Sequence, residues 1–536
     1  MRTGPPLPTR RRLVLTTGLV CALAAFATLA YDEAVHAVLT GHAFAARAAW
    51  LATPVAPATP QDLDAFRRLF WRTASTLPPV SGAADGDALR TEFVARFPSE
   101  DSFDAWEFKE FFMLDPAATV HGFDTTPSPA LEGGRLARGA LLEDASRWPD
   151  DDQRNRHRYL HDAQRAVVRD SRGEPLPDDP ATLEMGGLTG PTSQGHAHYG
   201  LLPGPLSDDP EVLKKDPRHF AIPPDVHTFG AEFAQLYTDL ALLARGSNLP
   251  GAEWLTWTFA GAAFHHIEDL ANQIHTVQVG IYEFFQAAWV QSKVRDLVTL
   301  GGLFGERWPL KKLGLRLVAN HHLLSEGLFA KRVEEAERGE ETAPEVQAAI
   351  AGIASDDESF ARQARAAVAK SDGAFGSAIA GAMIETSSRE GPEVYRLIWK
   401  LSLPPLRDGH GHEFDDKKDD PDQWVIADSP ARRDLLSRFY ELEGRGLRRA
   451  GTALRLWEQL FEAAAASDPQ SVRVESVRRT LAFLLPYHRA QEQRRAAFVP
   501  PPPEHGTIDW RFSAAAALIV ALIILLMLRS RRRPTL

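Results

Sequence analysis

The chain reads as all-α: a multi-helix metal-binding domain, a helical extension behind it and an apolar segment near each end. Three observations predict this. Apolar residues recur at three-to-four spacing, with charges between, over 62–73, 226–244, 254–274, 312–338, 343–370, 432–466 and 471–494. Convincing strands are few. Histidines and carboxylates stand four apart inside two of the helical stretches, which is a helical spacing.

The elements follow in order. Arg10, Arg11 and Arg12 precede an apolar run over 13–30, which has signal-peptide length and is marginal for a spanning helix. Cleavage after Ala30 and retention as an anchor are both open. Cys21 lies in this run, and Val20 before it takes the place of the small residue that lipid attachment expects. Pro- and Gly-rich connections fall at 54–60, 176–224 and 404–422. Prolines 500–503 form a stiff spacer. Residues 512–528 are nearly all Ala, Ile, Leu and Val, and Arg529, Arg531, Arg532 and Arg533 follow as a basic stop. Both basic flanks then face the cytoplasm, which places residues 31–511 outside it. The expected division is 31–340 for the metal-binding domain, 341–499 for the extension, 500–511 for the linker, 512–528 for a transmembrane helix and 529–536 for the tail. A single large helical domain is the other reading of the same length.

Composition excludes several chemistries. Cys21 is the only cysteine, so the exported part has no disulfide, no thiol nucleophile and no thiolate metal ligand. Any metal must be held by His, Asp, Glu or a chain terminus. A formal net charge of −11 argues against a basic nucleic-acid-binding surface. It leaves room for a phosphodiester in a cleft where metal ions supply the positive charge.

The most informative stretch, 264–276, reads FHHIEDLANQIHT and contains His265, Asp269 and His275. A second, 321–326, reads HHLLSE and sets His322 and Glu326 four apart. Each i,i+4 pair lies on one helix face. His275 follows Asp269 by about 600° of helix rotation, so it leaves that face unless the helix kinks. It then serves a second ion. A lone helical His is more often a core or surface residue than a ligand, but these five residues share one explanation if two ions are present. His410 and His412, in HGHEFDDKKDD, read as a charged, solvated loop. Trp254, Trp257 and Phe264 read mostly as core.

The motifs resemble the family of zinc-dependent phospholipase C and the fungal single-strand-specific nucleases. His265, Asp269 and His275 match the family's His-x3-Asp-x5-His, and His322 with Glu326 match its closing His-x3-Glu. The lead-in GAAFHHIED at 261–269 is also similar. Gln273 departs from the family's usual Pro, and the span from His275 to His322 is longer than in compact members. Upstream, Tyr31 stands where the nuclease branch has Trp, with His36 five residues on; the terminal amine exists only after cleavage at Ala30. GALLED at 139–144 nominates Asp144. His157 and His161 compete for the next ligand, His161 preferred, with His196 and His198 (HAHYG) as a third choice. The resemblance covers 31–330.

The resemblance implies an all-helical fold holding two to three zinc ions. Asp144, His161, His265 and Asp269 would surround one. His275, His322 and Glu326 would hold the second. Asp269 would bridge to a third, completed by His36 and the Tyr31 terminus. Asp144 would orient or deprotonate the attacking water. The expected activity is that of a membrane-tethered, extracytoplasmic zinc phosphodiesterase of phospholipase C type, with a phospholipid or other phosphodiester as substrate. A nuclease-type phosphodiesterase and a metal-depleted structural or interaction protein of the same fold are the alternatives. The dipeptide His161-Asp162 raises an HD-type phosphohydrolase, which the export signals fit poorly. A di-iron carboxylate bundle wants Glu-x2-His pairs, and the pairs here are one residue longer.

Overall fold

Thr59 starts the first long helix by a capping box. Its side chain accepts from the Asp62 amide, and Asp62 answers at the Thr59 backbone. Asp357 and Ser429 cap later helices in a similar way, whereas the helices beginning at Gly230, Ala252 and Phe375 have no side-chain cap. A computed structural model describes residues 33–79, 85–112, 136–147, 149, 164–166, 169, 198–200, 228–276, 290–291, 293–294, 310–340, 342–415 and 418–497.

The helices are α1 (Glu33–Ala43), α2 (Ala48–Leu51), α3 (Pro60–Ser75), α4 (Asp85–Arg96), α5 (Ala105–Phe112), α6 (Arg138–Arg147), α7 (Gly230–Arg245), α8 (Ala252–Asp269), α9 (Leu310–Glu337), α10 (Pro344–Ile353), α11 (Glu358–Val368), α12 (Phe375–Ser387), α13 (Gly391–Leu401), α14 (Pro430–Ala465) and α15 (Pro469–Ala497). Two-residue strands β1 (Pro54–Val55) and β2 (Leu136–Ala137) pair antiparallel, with Pro54 opposite Ala137. The protein is therefore predominantly helical.

Two expected helices come out differently. The stretch 254–274 stops at Asp269. The chain then tightens: the amides of Ala271 and Asn272 bond back to Glu268 and Asp269. Asn272 caps a 3-10 turn, Gln273–His275, by accepting from the Ile274 amide. The stretch 343–370 is two helices, because the Asp357 side chain accepts from the Phe360 amide and starts a new one.

α8 is the axis of the molecule. Every residue from Trp254 to Asp269 is buried. α1, α6, α7, α12 and α14 pack around it. Trp254, Trp257 and Phe264 are core residues. Trp50 meets Trp257 edge-on at 5.2 Å, and Trp457 meets Phe264 edge-on at 4.9 Å. One hydrophobic cluster runs from Val35 to Tyr487, so the helices after 340 share this core. Gly261 permits a close helix approach: a Cβ there would lie 2.4 Å from that of Ala145 on α6.

No helix among the described residues is long and apolar enough to cross a membrane. The apolar runs at 13–30 and 512–528 lie outside the described residues, as does the Pro spacer.

Candidate metal centre

Buried polar groups concentrate where α8 ends. Two groups of side chains place ligand atoms close enough to hold a metal ion: His198, His265, His266 and Asp269, and His275, His322 and Glu326. All seven residues are buried.

The first group is assembled from α6, α8 and a short segment, 198–200. His265 Nδ1 donates to the Ser146 carbonyl on α6 at 2.7 Å. That bond fixes the tautomer and turns the Nε2 lone pair inward. Nε2 lies 2.7 Å from His198 Nδ1 and 3.1 Å from Asp269 Oδ2, and His198 Nδ1 is 2.6 Å from the same oxygen. Three electron-rich atoms face one another there, as ligands around a cation do. The segment bearing His198 is pinned twice, by Gly230 N donating to Tyr199 O at 3.1 Å and Gly200 N to His275 O at 3.0 Å. Gly230 is needed at this crossing, since a Cβ would lie 3.0 Å from the His198 carbonyl. His266, the fourth member, stacks on Tyr237 and Phe233.

The second group joins the 3-10 turn to α9. Glu326 Oε1 is 2.9 Å from His275 Nε2 and 3.1 Å from His322 Nε2. Asn272 Nδ2 donates to the same oxygen at 3.2 Å. The two imidazole rings stack at 5.1 Å, and Tyr199 OH lies 3.0 Å from His322 Nε2. The break in α8 is what allows this. It carries His275 off the helix and across to α9.

Asp269 links the groups. Its Oδ2 belongs to the first. Its Oδ1 is buried, makes no hydrogen bond, and has His36 Nε2 at 3.3 Å and His275 Nδ1 at 3.9 Å. A buried carboxylate oxygen without a hydrogen bond is costly. Nitrogens on either side of it fit a site for a cation, so the residues present suit a metal ion. The donor set is imidazole and carboxylate throughout.

Burial alone would raise the Asp269 carboxyl, but the imidazoles of His265 and His198 outweigh it and hold the group well below the usual carboxylate range. Burial pushes His265 down to about 3, against the pull of Asp269. Burial lowers His275 as well, opposed by Glu326. His36 goes the other way: burial would lower it, but the neighbouring carboxylates of Asp269 and Glu268 raise it well above its ordinary value. The two carboxylates thus favour positive charge at the His36 Nε2 position, which a proton or a metal ion there can equally supply. His265 and His275 thus favour the neutral form that a metal ligand requires.

Of the residues expected from sequence, His265, Asp269, His275, His322 and Glu326 come together, and His36 joins them from α1. The upstream histidine in the site is His198, which ranked behind His161; His157, His161, His196 and Tyr31 lie outside the described residues. Asp144 is on α6, two residues before the carbonyl that holds His265, and neither group of ligand atoms includes it. Sequence reasoning missed Glu268, Thr40, Tyr199 and Asn272. Glu268 carried a signal, as a second acid on a stretch otherwise rich in apolar residues. Gln273, the departure from the family pattern, donates to Leu442 O on α14 at 2.7 Å and so fastens the metal turn to the C-terminal helices.

Two other described histidines, His321 and His412, are otherwise engaged. His321 Nδ1 donates to Leu317 O at 2.6 Å, and its Nε2 lies 2.9 Å from Ser402 Oγ. His412 bonds Asp419 at 2.7 Å and stacks on Trp424 at 3.9 Å, within a loop that Lys331 and Arg332 tie to α9 through Asp420 and Asp422. The chain matches no family model, no curated protein and no solved structure.

Proposed function

We propose that the chain is a membrane-tethered, extracytoplasmic zinc-dependent phosphodiester hydrolase of phospholipase C type, with two to three zinc ions at the centre around Asp269. The observation that carries this reading is the Asp269 carboxylate, one oxygen in the His265–His198 group and the other between His36 and His275. A carboxylate can serve two ions, whereas an imidazole offers one free nitrogen. Zinc in such a pair lowers the pKa of bound water and stabilises charge on a phosphoryl oxygen.

The chain's own residues have separate tasks. His198, His265, His275, His322, Glu326 and His36 would hold the ions, with the Tyr31 terminus completing the set after cleavage at Ala30. Ser146 keeps His265 in the ligating tautomer. Tyr199 and Asn272 steady His322 and Glu326. Asp144 is the candidate group that orients or deprotonates the attacking water. No protein nucleophile is needed, in keeping with a lone cysteine in the apolar leader. The apolar run at 512–528 would bring the centre near a bilayer, which favours a lipid phosphodiester. The aromatic residues Trp254, Trp257 and Phe264 are buried in the core and offer no stacking platform for a single-stranded nucleic acid.

One observation favours a second reading. Every candidate ligand among the described residues is buried, and closed metal sites are commonly structural. In that reading the ion pins α8, α9 and the 198–200 segment together and catalyses nothing.

Hydrolysis assays separate the two. Zinc-loaded full-length protein is offered phosphatidylcholine vesicles and single-stranded DNA in parallel. Head-group release from the vesicles, lost in Asp269→Asn, supports the proposal. Cleavage of DNA alone moves the chain to the nuclease branch. Inactivity on both, with a thermal midpoint that falls sharply on chelation, supports the structural metal.

A further inference from the structure

Glu268 stands beside Asp269 on the fully buried end of α8, and the hydrolase reading gives it no task. A buried carboxylate is unfavourable unless it is paired and hydrogen-bonded. Glu268 is satisfied at both oxygens, and both partners come from one neighbouring helix. His36 Nδ1 donates to Oε2 at 2.7 Å, and Thr40 Oγ1 donates to Oε1 at 2.8 Å. His36 and Thr40 are one turn apart on α1, so a single carboxylate grips both.

The other edge of the His36 ring faces the metal centre. Its Nε2 is 3.3 Å from Asp269 Oδ1, and the ring lies 4.2 Å from that of His265. Neighbouring acids on one helix thus take opposite nitrogens of one imidazole. A carboxylate at Nδ1 keeps the proton there and leaves the Nε2 lone pair for a cation, the usual way proteins orient a ligating histidine. A simple buried ion pair would need only one of these contacts.

We infer that Glu268 is a positioning residue: together with Thr40 it fixes the ring and tautomer of His36, so that Nε2 is delivered to the metal site at Asp269. The inference rests on the metal-site reading above. It makes His36 a prepared ligand from inside the fold, whatever happens at the chain terminus.

The test measures zinc affinity of the full-length chain by competition with a chromogenic chelator, alongside the thermal midpoint of the metal-free protein. Glu268→Gln keeps size and hydrogen bonding but removes the charge. It is expected to weaken one zinc by about ten- to a hundredfold, with the metal-free midpoint little changed. Thr40→Val should act in the same direction and less strongly, while Thr40→Ser, which keeps the hydroxyl, should match wild type. In a His36→Ala background, Glu268→Gln should have no further effect on affinity. Wild-type affinity in Glu268→Gln overturns the inference, and so does an equal loss with or without His36. A fall in the metal-free midpoint alone would make Glu268 merely structural. A wild-type chain that takes up no zinc would overturn the metal reading and this inference together.

Discussion

The two halves of the candidate metal centre are built by opposite means. The Glu326 group joins residues close in sequence within each element: His322 and Glu326 on one turn of α9, with His275 and Asn272 on the 3-10 turn facing them. The Asp269 group gathers His36, the Ser146 carbonyl, His198 and α8 from four separate parts of the chain. One half is local geometry, and the other is held by the packing of the whole core. The difference predicts that local substitutions disable the Glu326 group alone, whereas the Asp269 group fails with its scaffold.

Asp269 has the largest expected effect, because it alone belongs to both halves. Asp269→Asn should lower zinc uptake across the centre, by on the order of a hundredfold or more in affinity, seen as near-complete metal loss after dialysis. Survival of a tightly held second zinc would sharpen the comparison by making the Glu326 group independent. Glu326→Gln comes next. It should release one ion and leave the ion at His265 in place, read by metal content and by cobalt substitution spectra. Loss of every ion would break the distinction between the halves. Gly261→Ala is the smallest. Its Cβ would collide with Ala145 and push α6, with its Ser146 carbonyl, away from α8. Overpacking of this kind costs about 1–3 kcal/mol. The expected result is a lower thermal midpoint with a weakened Asp269 group and an unchanged Glu326 group.

Legibility in the sequence follows the same division. The i,i+4 pairs His265–Asp269 and His322–Glu326 are local, so spacing alone placed them on their helices. The rotation between Asp269 and His275 also told that His275 must leave the face, and the helix does end at Asp269. His198 was harder. It is 67 residues from His265 and 71 from Asp269, on a segment with no periodicity, and three other histidines competed for its role. Glu268 stood out as a second acid, but its role could not be read, because its partners, His36 and Thr40, are more than 200 residues away. The helices after 340 were predicted from their apolar stripes, but periodicity says nothing about which core they join. α1, α2, α4, α5, α6, α12 and α13 escaped because they are short or rich in small residues.

The central claim is a multinuclear zinc centre bridged by Asp269, and zinc counted directly in the purified full-length chain tests it best. His265→Ala and His322→Ala are counted beside the wild type. The account predicts two to three zinc ions per chain, with fewer in each variant. Substoichiometric zinc that neither substitution changes would contradict it, and would leave these histidines as hydrogen-bonded members of a helical core.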